Sequence, residues 1–214
     1  MMTEPDVTLT DYGLAVECAF FTYLLSRPGD RRGPLGAWFL LFFGATGTAA
    51  LIGGTVHGFF LDERTLGARI LWPATLLAAG LAALAAWGIG ARLQFPVRLA
   101  GWVEMAATVE FAGYALVVLR VSQAFVVAIL DYLPAALFLT AVFGLRYRRT
   151  RERPLLAGLA GLALTFVASA IQQAGLALHP VYLTHNALQH LVQAVALFML
   201  FRAGRWLVVA GATR

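Results

Sequence analysis

The chain has 214 residues, of which 60% are hydrophobic and only 13% charged, against roughly 25% charged in a soluble domain. All 16 basic residues are arginines, so no lysine exists to carry a retinal Schiff base. The one cysteine, Cys18, rules out an intramolecular disulfide and a thiolate metal cluster.

Apolar runs of about 20 residues, long enough to cross a hydrocarbon core, predict an all-α integral membrane protein. The reading is a seven-transmembrane helix bundle forming a single domain over 1–214. Met1 to Asp6 is acidic and lacks the basic start of a signal peptide, so the first span is expected to be retained. That span, 8–26, carries Asp11, Glu17 and Cys18. The second, 37–61, is rich in glycine, which lets membrane helices approach closely; Gly54 and Gly58 bracket His57. The third, 71–91, holds Pro73, and the fourth, 99–119, holds Glu104 and Glu110. The fifth, 122–145, contains Asp131 and Pro134 and runs into the basic tract Arg146 to Arg153. The sixth, 154–178, starts at Pro154 and carries Gln172 and Gln173. His179-Pro180 marks a turn, and the seventh, 185–208, opens on His185-Asn186-Ala187-Leu188-Gln189-His190.

Charge supplies the orientation. Thirteen arginines accompany the segments that follow spans 1, 3, 5 and 7, and three accompany the others. Basic residues collect on the cytoplasmic side, which places the N-terminus outside and the C-terminus in the cytoplasm of a bacterial inner membrane. The net charge of +5 therefore reports topology, and no nucleic-acid partner is expected. The basic tract offers anionic lipid headgroups a surface, but topology alone accounts for it.

Ionisable groups within membrane spans are costly and point to function. Glu17, His57, Glu110, Asp131, His185 and His190 fall in the external leaflet half under this orientation. Thr55, Gln172, Gln173, Asn186, Gln189 and Gln193 join them as a polar lining, and only Glu104 lies toward the cytoplasm. Three histidines and a water make an open zinc site, in which the bound water falls to a pKa near 7. His57, His185 and His190 are the expected ligands, and carboxylates nearby orient them or move protons. The bland alternative is three hydrogen-bonded bundle histidines. His185 and His190 are five residues apart, and a regular helix points them about 140° apart. Either the first turn is irregular, or a π-bulge intervenes, or the ligands are His57 and His190 with a carboxylate such as Asp131, leaving His185 at the mouth.

These residues carry a resemblance. The histidine in span 2, the nearby aspartate and the histidines opening span 7 resemble the seven-transmembrane hydrolase superfamily of alkaline ceramidases, progestin and adipoQ receptors and Per1-like proteins. The matching residues are His57 in Gly53-Gly54-Thr55-Val56-His57, Asp62 in Leu61-Asp62-Glu63, and the stretch His185 to His190. Asp11-Tyr12 and His185-Asn186-Ala187-Leu188-Gln189-His190 are also similar to bacterial seven-helix families of unknown function. The resemblance implies zinc and hydrolysis of a lipid amide. Two departures stand out: Gly53 occupies the position of a family serine, and the last histidines are spaced by five rather than four.

The sequence therefore predicts a zinc-dependent intramembrane hydrolase of a lipid amide or ester, with Asp62, Asp131 or Glu110 as base or ligand orienter. The alternatives are a non-enzymatic protein with a structural metal or polar core or a ligand-sensing role, and a transporter or proton pathway. Glu104 carries the last, because a relay must reach both faces.

Overall fold

A computed structural model describes residues 2–27 and 33–210, apart from the side chain of Ala210. Seven helices follow one another: α1 (Pro5–Leu25), α2 (Gly33–Phe59), α3 (Leu66–Gln94), α4 (Val97–Arg120), α5 (Phe125–Thr150), α6 (Arg153–Gln173) and α7 (His185–Ala210). Their ends have local causes. Pro5 opens α1, where a missing N–H costs nothing. Thr65 caps α3 by accepting from the Ala68 N–H. Pro154 sits in the first turn of α6, while Pro73 and Pro134 lie inside α3 and α5.

The sixth helix is shorter than its apolar run suggests, ending at Gln173 rather than 178. Gly175 adopts φ +65°, and the Leu176 N–H returns to the Ile171 carbonyl. This left-handed glycine turn spends the last free carbonyls and stops the helix. α5 starts at Phe125 rather than 122 because Ser122 accepts from the Ala124 N–H and holds a turn there.

Among the described residues, six helices, α2 to α7, are long and apolar enough to cross a membrane. The protein is thus an α-helical integral membrane protein. α1 packs against α2 and α7, α2 against α3, α3 against α5, α5 against α6, and α6 against α7. These six close a ring, and α4 stands outside it against α3.

One end of the ring is apolar. Phe21 of α1 stacks on Phe201 of α7 at 4.3 Å and meets Phe43 of α2 edge-on at 5.4 Å. Leu139 and Phe143 of α5, Ile89 of α3 and Leu162 of α6 belong to the same buried cluster. Glu104 lies at this end. It accepts a two-pronged bond from Arg92 and a third from the Trp38 indole N–H at 2.6 Å. A carboxylate so satisfied locks α2, α3 and α4 together.

Close approach depends on glycine at α6 and α7. A Cβ on Gly161 would lie 2.7 Å from the Ala196 carbonyl oxygen, whereas one on Gly113 of α4 would meet nothing within 4 Å. Gly161→Val is expected to cost at least about 1–3 kcal/mol by forcing backbones apart. Thermal unfolding in detergent should fall for Gly161→Val and hold for Gly113→Val; equal melting of both would contradict the packing.

Candidate functional site

The opposite end of the ring is polar, and α1 organises it. Glu4 and Asp11 are seven residues apart, about two helical turns, and so share a face. Glu4 accepts from Nδ1 of His57 on α2 at 2.6 Å. Asp11, only 6% exposed, places Oδ1 3.3 Å from Nε2 of His190 on α7. Thr10 Oγ lies 3.0 Å from Nδ1 of the same His190. Asp6 Oδ2 accepts from both the N–H and the hydroxyl of Thr184, at 3.0 and 2.7 Å, and so anchors the start of α7. The helix carrying the acids thus lies between the two helices carrying the imidazoles.

Glycine makes the α1–α2 half possible. A Cβ on Gly54 would meet Asp11 Cβ at 2.8 Å and the Tyr12 ring at 3.2 Å, and one on Gly58 would meet Thr8 at 3.0 Å. The two glycines bracketing His57, like Gly47 against Cys18 further along, are places where α1 comes close. Thr3 closes the top, its N–H donating to the Gly58 carbonyl and its hydroxyl to the His57 carbonyl. Tyr12 and Thr55 join their hydroxyls at 3.1 Å across the same seam.

The hydrogen bonds around His190 constrain its proton. The Thr10 hydroxyl lies 2.8 Å from the Asp6 carbonyl, one turn back. With its single hydrogen on that carbonyl, or on the Val7 carbonyl at 3.0 Å, Thr10 accepts from His190 Nδ1–H. Nε2 is then a bare lone pair facing the Asp11 carboxylate. Two acceptors cannot face one another in a low-dielectric interior unless a proton or a cation lies between them. With one ring proton, on Nδ1 and given to Glu4, His57 also keeps Nε2 as a lone pair.

The expected site residues separate into groups. His57 and His190 flank α1, but His185, the first residue of α7, enters none of these pairs among the described residues. No set of three or more His, Cys, Asp or Glu side chains is gathered closely enough to hold a metal among the described residues. Asp131 and Glu110 stand apart, in a crevice between α3, α4 and α5 with Trp87. The cause is topological, since α4 packs on α3 and α5 and reaches α2 through the Trp38–Glu104 bond at the opposite, apolar end. Asp62 is exposed in the α2–α3 turn and accepts from the Arg64 N–H. Gln172 donates to Asn186 at 3.3 Å and Gln193 to Thr165 at 3.4 Å, tying α6 to α7. Gln173 is exposed at the end of α6, and Gln189 is half-buried on α7. One oxygen of Glu17 is buried without a partner.

Over residues 7–208 the chain matches a family of unknown function, DUF6962. The chain belongs to that family. No curated protein and no solved structure matches it. The region matched in this DUF6962 chain includes Asp11, His57 and His190, whereas Glu4 and Asp6 precede it.

Glu4, Asp6 and Thr10 were not legible as site residues, and Asp11 reads in the sequence as a span-end acid. The signal was the seven-residue step from Glu4 to Asp11, which sets both on one face of α1. Asp6 lies before the apolar run of α1. Burial raises its pKa, but the bonds from the Thr184 hydroxyl and N–H outweigh this and hold it below its ordinary 3.8. Its contribution is therefore full above pH 4 and disappears as pH falls through the lowered value. Asp6→Ala is expected to cost about 1 kcal/mol and to speed amide exchange over residues 184–188. Unchanged exchange there would refute the anchor.

Proposed function

We propose that this protein is a metal-dependent, membrane-embedded hydrolase of a lipid amide or ester, in which zinc would draw together His57, His190 and Asp11, three side chains not yet gathered into a ligand cluster. The single observation behind this reading is the pair of acceptors, His190 Nε2 and Asp11 Oδ1, facing each other at 3.3 Å. A cation between them removes the conflict. Metal-binding imidazoles usually donate their second N–H to a carboxylate or another oxygen, which fixes the tautomer. Glu4 and Thr10 are such partners for His57 and His190. Two histidines and one carboxylate also form one of the open catalytic zinc sets. Asp11 thus takes the place expected of a third histidine or of Asp131.

When bound, zinc would supply an activated water at neutral pH and polarise a carbonyl. The chain's own groups do the rest. Glu4 and Thr10 orient the two rings, and Asp11 holds the negative charge that attracts the cation. Tyr12, one residue from Asp11, gives its hydroxyl hydrogen to Thr55, whose own goes to the Leu51 carbonyl. The half-burial of His57 leaves a route in from the lipid.

The seven-span topology belongs to the same proposal, with the N-terminus outside, the C-terminus in the cytoplasm and the site in the external half of a bacterial inner membrane. α1 is not among the six helices that are apolar enough to cross on composition alone, and it carries Asp6, Asp11 and Glu17 within its length. Its 21 residues extend about 32 Å at 1.5 Å per residue. It runs beside α2 from the Thr3–Gly58 bond to the Phe21–Phe43 contact. A helix that follows a span along its length spans with it. The arginine distribution supports the orientation.

Metal analysis of the purified protein should find about one zinc per chain, the stoichiometry of an open catalytic site. His57→Ala, His190→Ala and Asp11→Ala should each lose it, and His185→Ala should keep it. Release of fatty acid from an amide-linked or ester-linked lipid should fall in the same three variants. A folded protein that binds no metal, or one in which Asp11→Ala retains full metal and activity, would overturn the assignment.

A further inference from the structure

We propose that the groove between α1 and α2 holds a single acyl chain of the lipid whose head region is handled at His57, Asp11 and His190; this rests on the reading above. The groove has a volume of about 460 Å³, within the range of small-molecule sites, roughly 300–1,000 Å³. Ala15, Ala19 and Thr22 of α1 and Gly44, Gly47 and Thr48 of α2 line it. Ala19, Thr48 and Leu51 are exposed, so it opens outward, onto lipid.

The lining specifies hydrocarbon. Thr22 donates to the Cys18 carbonyl, Thr48 to the Gly44 carbonyl and Ser26 to the Tyr23 carbonyl. The hydroxyl hydrogens of Thr22, Thr48 and Ser26 are thus spent on their own helices, which leaves the Tyr23 phenol, at the end of the groove away from the histidines, as its one other polar lining group. The width comes from side chains that are absent. A Cβ on Gly44 would meet nothing within 4 Å, so the space is present beside an already packed seam.

Position ties the groove to the site. Its upper end is Leu51, one turn below Thr55, whose hydroxyl meets that of Tyr12. Along α2 the groove runs from about 9 Å to about 21 Å below His57, counting 1.5 Å per residue from Leu51 to Phe43. A chain bonded to a carbonyl at the histidines would descend through that interval. The Tyr12–Thr55 bridge lies at the junction, where the lipid changes from polar to apolar. The substrate class is therefore a lipid with at least one long acyl chain, attached through an amide or ester at the external level.

Photolabelling in vesicles tests this with the full-length protein. Two phosphatidylcholine probes carry a diazirine on a palmitoyl chain, one near the carbonyl and one near the methyl end. The carbonyl-proximal probe should label peptides around Tyr12 and Leu51, and the methyl-end probe those around Thr22 and Gly44. Gly44→Leu should abolish the methyl-end labelling, while Gly113→Leu, the same bulk placed on α4, should leave it intact. Labelling spread evenly over the lipid-facing helices, the reverse order of the two probes, or capture of a second copy of the chain by Gly44-region crosslinks would overturn the proposal. His57→Ala separates the two readings. Groove labelling without hydrolysis in the native protein would sink the hydrolase and spare the groove; hydrolysis without groove labelling would do the opposite.

Discussion

The structure depends on pairing between the acids of α1 and the imidazoles on either side of it. A carboxylate in a low-dielectric interior is costly without a partner, and α1 carries Asp11 and Glu17 within its length and Glu4 and Asp6 at its start. Three of these four find partners on neighbouring helices, and those partners fix where α1 lies. Glu4 draws in the end of α2 through His57, Asp11 meets His190 in α7, and Asp6 anchors the residue before α7. Glycine at 54 and 58 lets α1 approach closely enough for the pairs to form. The apolar end of the ring, with its stacked phenylalanines, is a separate source of cohesion and leaves the polar end free to specialise.

The helix content and the presence of several long apolar helices were legible in the sequence, because length and hydropathy decide both; seven spans were expected, and among the described residues six helices are long and apolar enough to cross a membrane. The partners of the histidines were not legible. His57 and His190 stand out because each is an imidazole in an apolar run, but periodicity says nothing about which helices become neighbours. Asp131 and Glu110 share a depth with the histidines and sit on the far side of the bundle, because depth is one coordinate and azimuth is another. Azimuth is set by the ring order, in which α4 is excluded and α1 closes the gap between α2 and α7. Glu104 misled for a related reason: its isolation in sequence hides Arg92 and Trp38, which come from two other helices.

Seen from α1, the polar end and the groove below it form one path. The polar end gathers imidazoles and carboxylates, the Tyr12–Thr55 hydroxyls lie beneath them, and the small-residue trough continues along the same two helices. A lipid is polar at one end and apolar along its chain in the same order. The unpartnered oxygen of Glu17 lies on α1 two turns below Thr10, on the same face by helical spacing. Six residues from Asp11, and so about 120° round the helix from it, Glu17 lies on a different face from Glu4 and Asp11.

The tautomers of the two histidines test the central claim most directly. Nitrogen-15 spectra of the imidazoles in lipid nanodiscs should place the proton of both His57 and His190 on Nδ1, with Nε2 bare. Added zinc should then shift Nε2 of these two residues and leave His179 and His185 unmoved. A proton on Nε2 of His190, donated to Asp11 and indifferent to zinc, would contradict it.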